Sequence, residues 1–131
     1  MKLLLDTHIW LWSQLEAKRL SIAVAAALQD AGNEIWLSPI SVWEASILSR
    51  KGKVHLEGGA DVWVRRALRR APVREAALTI EVALASNTLK MAHPDPADRF
   101  LVATAKVFGL TLVTADRLLI ESGVVDVLAN Q

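Results

Sequence analysis

Short apolar runs closed by a polar residue alternate along this chain with longer stretches of helical character. Residues 2–6 hold three consecutive leucines ended by Asp6, which predicts a buried strand. A short helix is expected over 8–14. A second, alanine-rich helix is expected over 21–31, with Ser21 as N-cap and Gly32 as stop. Residues 34–38 read as a strand, and Pro39 then opens a helix over 40–51 that ends before Gly52. The stretch 53–59, with Gly58 and Gly59, is a loop. An amphipathic helix follows over 60–70, then a short strand over 72–76 and a helix over 79–90. His93, Pro94, Asp95 and Pro96 form a turn, because proline disfavours helix at the residue before it. The remainder reads as a helix over 97–108 ended by Gly109, a strand over 110–114, a helix over 116–122 ended by Gly123, and a last strand over 124–128. Strands separated by helices imply βαβ units, hence an α/β fold around a mainly parallel sheet.

The 131 residues suit one domain, expected to span 1–131. An apolar fraction of 53% and a charged fraction of 22% exclude a disordered chain. Cysteine is absent, which removes disulfides and thiolate metal sites and is compatible with a reducing compartment. The apolar run before Asp6 is too short for a signal peptide. No stretch reaches the roughly 18 uncharged apolar residues of a membrane span. A cytoplasmic location without membrane attachment is therefore expected. Net charge is only +1, too small to argue for nucleic acid by itself. Its distribution adds two basic clusters: Arg50, Lys51 and Lys53, then Arg65, Arg66, Arg69, Arg70 and Arg74. They are either solvated helix faces or a phosphate-attracting rim.

Four acids sit where a strand hands over to a helix or within a helix's first turns: Asp6, Glu44, Asp98 and Asp116. Each has a local reading. Asp6 and Asp116 suit helix N-caps. Ser41 and Glu44 have capping-box spacing. Asp98 complements a helix dipole, and Asp95 suits a turn or cap. Those readings treat the positions one at a time. In a parallel sheet the residues after the strands emerge at one edge, where ligands bind. Acids gathered there repel one another until a proton or cation relieves them, and hard divalent ions take oxygen ligands. An acidic crevice holding Mg²⁺ or Mn²⁺ points to phosphodiester hydrolysis.

The blocks Leu4-Leu5-Asp6-Thr7-His8-x-x-Leu11-Trp12, Ser38-x-x-Ser41-x-Trp43-Glu44, His93-x-Asp95-Pro96-x-Asp98-Arg99-x-Leu101-x-Ala103-x-Ala105 and Leu112-Val113-Thr114-x-Asp116 occur in this order over nearly the whole chain. Together they resemble the PIN-domain ribonucleases, specifically the VapC-type toxins of prokaryotic toxin–antitoxin pairs. The resemblance implies a three-layer α/β/α sandwich with a four-acid site. Asp6, Glu44, Asp98 and Asp116 match the family's acidic positions. Asp6, Asp98 and Asp116 would hold Mg²⁺ or Mn²⁺, and Glu44 would complete the site or position the attacking water. Thr7 and Thr114 would orient the metal or its waters. It also implies an RNA substrate, an antitoxin partner and a homodimer. Ala97 departs from relatives that often carry an aromatic residue there.

Other functions fit less well. A receiver-type signalling domain wants an acidic pair after its first strand and an aspartate after a middle one, yet Asp6 has Leu5 and Thr7 as neighbours. A haloacid-dehalogenase-type phosphatase wants Asp-x-Asp where this chain has His8. A non-catalytic binding module on the same fold has no feature in its favour, since all four acids are present. His8, His55 and His93 make no zinc pattern; His93 is read as fixing its turn. Of Trp10, Trp12, Trp36, Trp43 and Trp63, most read as core or interface, and exposure is to be tested first at Trp10, Trp12 and Trp63.

Overall fold

A computed structural model describes residues 1–93 and 95–131, so the expected turn is described at His93, Asp95 and Pro96, while Pro94 lies outside the described residues. Strand β1 (Lys2–Leu5) leads into α1 (Thr7–Leu15), a 3₁₀ turn (Ala17–Arg19) and α2 (Ile22–Gln29). Strand β2 (Glu34–Leu37) is followed by α3 (Pro39–Arg50) and α4 (Ala60–Arg70), then by β3 (Arg74–Glu75). Helices α5 (Ile80–Thr88) and α6 (Pro96–Phe108) precede β4 (Thr111–Thr114), α7 (Arg117–Ser122) and β5 (Val127–Ala129). Local chemistry sets these limits. The side chains of Ser21, Ser38 and Thr79 accept backbone N–H groups at the starts of α2, α3 and α5. Gly109 ends α6 with φ +67, a left-handed value that costs glycine little.

The sheet has the order β3-β2-β1-β4-β5 and every pairing is parallel. Neighbours of β1 register as Leu4 with Trp36 on one side and Leu4 with Leu112 on the other. A receiver domain orders its strands 2-1-3-4-5, so this topology removes that reading.

Side chains alternate across the sheet as a pleated strand requires. Leu3, Leu5 and Val113 join one core with Ile9, Trp10, Val24 and Trp63, beneath α1 to α4. Leu4 and Leu112 join the other with Val82, Val102, Ala103 and Leu119, beneath α5 to α7. Three layers result, helices over both faces of the sheet. The first three strands run outward from β1 with their helices on one face; the chain then crosses to β4 with its helices on the other. The order reverses between β1 and β4, and such a reversal opens a crevice at the strands' carboxyl ends.

Three sequence expectations change. Val124 and Val125 pack against the second core instead of extending a strand, and β5 begins at Val127, opposite Leu112. Helix α2 ends at Gln29, before the Asp30 carboxylate takes the Gly32 N–H at 2.8 Å. Trp10 and Trp63 are 2% and 6% exposed and meet edge to face at 5.5 Å, while Trp43 is the open one at 56%.

Leu112 is fully buried, so Leu112→Ala is expected to cost about 3 kcal/mol of stability through lost burial and the cavity left behind. Ile22→Ala, at a position 91% exposed, is expected to change stability by less than about 0.5 kcal/mol. Urea denaturation of the two variants checks this, and equal losses would contradict the assigned core.

Candidate active site

At the crevice, Asp6 leaves β1 and caps α1. Its Oδ1 accepts the Thr7 N–H at 2.7 Å and its Oδ2 accepts the Thr114 hydroxyl at 2.6 Å. Thr114 ends the neighbouring strand β4, and its oxygen accepts the Asp116 N–H at 3.0 Å. Asp116 in turn caps α7, with Oδ1 accepting the Leu118 N–H at 2.9 Å. One threonine thus ties the two strand-end acids together.

Glu44 reaches the same place from α3. The N-cap of that helix is Ser38, whose hydroxyl accepts the Ile40 N–H at 3.1 Å. The capping-box reading of Ser41 and Glu44 therefore fails, since Ser41 lies inside the helix. Glu44 Oε1 instead accepts the Thr7 hydroxyl. Thr7 Oγ1 also lies 3.1 Å from Ser41 Oγ, and with its single hydrogen spent on Glu44, it receives that of Ser41. The hydroxyls of Thr7 and Thr114 both point at carboxylates.

Asp98 arrives from the first turn of α6, whose N-cap Asp95 accepts the Ala97 N–H at 2.9 Å. Beside it stands a residue with no site role in the sequence reading. His93 Nε2 lies 3.2 Å from Asp98 Oδ2 and 3.2 Å from Asp116 Oδ2, with a side chain only 8% exposed. These three ligating atoms fall within 4.8 Å of one another. His93 Nδ1 accepts the Asp95 N–H at 3.2 Å, so the histidine does fix its turn as expected. Arg99 holds the approach to that turn by donating to the carbonyls of Ser86, Leu89 and Met91. No helical or strand periodicity marks His93; only its place before the Asp95-Pro96 turn hints at it.

The acids line a pocket of about 440 Å³ together with His8, Trp12 and Asp95. His8 stands over Trp12 with ring centroids 5.8 Å apart, and Arg19 covers the Trp12 ring at 4.2 Å. His55 is exposed in the loop before α4. Arg65, Arg66, Arg69 and Arg70 are exposed on α4, where Arg65 pairs with Asp61 and Arg70 donates to Gln14. Ala97 is buried against the protein interior.

Burial raises the proton affinity of the carboxyl groups. Asp6 is pushed up by burial, against the hydrogen bonds from Thr114 and Thr7. Glu44 is raised by burial, with Asp6 and Asp95 adding repulsion. Asp98 is pushed up to about 7 by burial, then by the charges of Asp6 and Asp95. Such a set has an unmet demand for positive charge.

Residues 3–122 match the PIN domain family. The chain is 35% identical over 115 residues to "Ribonuclease VapC22" of Mycobacterium tuberculosis, covering 87% of this chain and 86% of that one. Its fold is similar to a chain in the crystal structure of VapBC2 from Rickettsia felis bound to a promoter DNA fragment, with TM-score 0.75, 14% identity and full coverage of both chains. It is also similar to a chain of a toxin–antitoxin complex from Klebsiella pneumoniae, with TM-score 0.66, 20% identity and coverage of 98% and 97%.

A carboxyl group that holds its proton more tightly when folded stabilises the fold fully below its unfolded pKa, and that contribution is lost as pH rises through the folded value. For Asp98 this window runs from its ordinary 3.8 to about 7. In EDTA, Asp98→Asn is therefore expected to gain stability relative to the unaltered protein as pH rises from 4 to 7.5. Thermal denaturation across that range checks this; a constant difference between the two proteins would contradict it.

Proposed function

This chain belongs to the PIN-domain family, and on that premise we propose that it is a metal-dependent endoribonuclease, the toxin of a toxin–antitoxin pair. The observation that carries the reading is the convergence of Asp6, Glu44, Asp98 and Asp116 on one pocket at the reversal of strand order. Ribonuclease activity is supported by the name of the 35% identical relative. An antitoxin partner is supported by the toxin–antitoxin complexes among the structures of similar fold. A homodimer is proposed as well. Ile80 and Leu84, which are 81% and 63% exposed on α5, offer an apolar face for protein contact. Among the described residues no helix is long and apolar enough to cross a membrane.

The donor set suits Mg²⁺ or Mn²⁺. It is built of carboxylate oxygens, hard ligands for a hard ion, and three of the acids carry proton affinities raised by burial. Asp6, Asp98 and Asp116 would hold the ion. A divalent cation there supplies a more acidic water and offsets negative charge developing on the phosphate. Glu44, turned by Thr7, would orient the attacking water. Thr114 fixes the Asp6 carboxylate and, through the Asp116 N–H, the start of α7. Held this way, the acids need little reorganisation during reaction.

Purified protein incubated with a mixed RNA pool is expected to cleave it with Mg²⁺ or Mn²⁺ and not with EDTA. Asp6→Asn and Asp98→Asn are each expected to lower the rate by about 100-fold or more. Thr114→Val, which removes the hydroxyl that donates to Asp6 and accepts the Asp116 N–H, is expected to lose about 10- to 100-fold. Cleavage that persists in EDTA, or is undiminished in both aspartate variants, would refute the proposal.

A further inference from the structure

We propose that His93 is an internal stand-in for the cation: its Nε2–H occupies the gap between Asp98 and Asp116, and a divalent ion must displace it to bind. The inference rests on the metal-site reading above and concerns what the site does before the ion arrives.

The argument starts from the other ring nitrogen. Nδ1 lies 3.2 Å from the Asp95 backbone nitrogen. A backbone N–H can only donate, so Nδ1 is an acceptor and carries no hydrogen. The ring's proton is then on Nε2, which faces Asp98 Oδ2 and Asp116 Oδ2 at 3.2 Å each. A nitrogen bearing that proton donates to Asp116 Oδ2, keeps Asp98 Oδ2 at the same distance, and has no lone pair for a metal. Mg²⁺ or an ion like it needs oxygens at about 2.1 Å. An ion held by Asp98 and Asp116 would therefore compete with the Nε2–H for the same oxygens.

The surroundings agree. The His93 side chain is nearly enclosed, and among the described residues the nitrogens of its ring meet Asp95, Asp98 and Asp116. Arg99 pins the chain before it by three carbonyls, which returns the ring to the same place whenever the ion is absent. His93 itself lies outside any helix or strand. The bland alternative is that His93 merely braces the 89–95 segment. A second is that it turns its lone pair inward and serves as a nitrogen ligand, as imidazole does for several transition metals.

Titration with Mn²⁺ in the absence of RNA, followed by the electron paramagnetic resonance signal of free ion, separates these. His93→Ala removes the competitor and is expected to bind Mn²⁺ about tenfold more tightly, because the hydrogen bond to the Asp116 carboxylate no longer has to be broken. His93→Gln keeps an N–H donor and is expected to fall between. Spin-echo modulation of Mn²⁺ bound to the unaltered protein is expected to show no directly coordinated nitrogen, a readout that does not depend on any variant folding. Weaker binding by His93→Ala, or nitrogen coupling that His93→Gln abolishes, would overturn the proposal in favour of a ligand. Equal affinity in all three proteins would overturn it in favour of a brace. Failure of Mn²⁺ to bind any of them would overturn the metal-dependent reading itself, and this inference with it.

Discussion

Negative charge held out of water at the parting of β1 and β4 is the constraint around which the rest of this structure is arranged. Asp6 is 7% exposed, and the charges of Asp6 and Asp95 stand close enough to Glu44 and Asp98 for repulsion to register. Charge in that position is tolerated only if donors surround it. Most donors are hydroxyls or helix starts: the Thr7 N–H and Thr114 hydroxyl on Asp6, the Thr7 hydroxyl on Glu44, and the Leu118 N–H on Asp116, which His93 Nε2 also meets. Hydrogen bonds of this kind satisfy lone pairs without cancelling charge. The remaining demand shows in the raised proton affinities of Asp6, Glu44 and Asp98, and it is the physical reason to expect a cation.

The fold supplies that arrangement because two cores share one sheet. Leu3 and Leu5 are held from one side and Leu4 from the other, so β1 cannot slip by a residue without turning its leucines to the wrong layer. Fixing β1 fixes Asp6. The parallel register of Leu5 with Val113 then fixes where Thr114 emerges, one step beyond, in reach of Asp6. Helices α3 and α6 come from opposite layers, and their starts bring Glu44 and Asp98 to the same edge. Sub-ångström placement of the acids is thus inherited from leucine and valine burial.

Much of this was legible in the chain. Leu3-Leu4-Leu5 before Asp6 and Leu112-Val113 before Thr114 announced buried strands, and Ser21 and Gly109 marked helix limits where the structure has them. The common destination of the four acids followed from parallel topology. What failed to show were relations between distant residues. Ser41 and Glu44 had the spacing of a box, but Ser38 sits one residue before Pro39 and takes the cap, leaving both side chains for Thr7. His93 meets Asp116 from 23 residues away, a separation no local pattern encodes. Trp43 and Trp10 look alike as apolar letters, yet one faces solvent and the other the core. Val124 and Val125 have strand composition, but the turn after Gly123 carries them under the sheet's second layer.

Capping a helix and lining the acidic pocket are compatible for the same aspartate, because a carboxylate has two oxygens. An N-cap carboxylate accepts its helix N–H through one oxygen and leaves the second with a different outlook. Asp116 gives Oδ1 to Leu118 and turns Oδ2 toward His93 and Asp98. Asp6 gives Oδ1 to Thr7 and Oδ2 to Thr114. The cap locks the side-chain rotamer and lends the positive end of the helix dipole, which aims a carboxylate where charge is otherwise costly. Strand–cap–helix is therefore a means of building an acidic pocket: β1–α1 and β4–α7 each deliver one oriented carboxylate to the same edge. A sequence reading that assigns such an aspartate to local structure has identified the mechanism by which it is held, and the question of function passes to the oxygen left over.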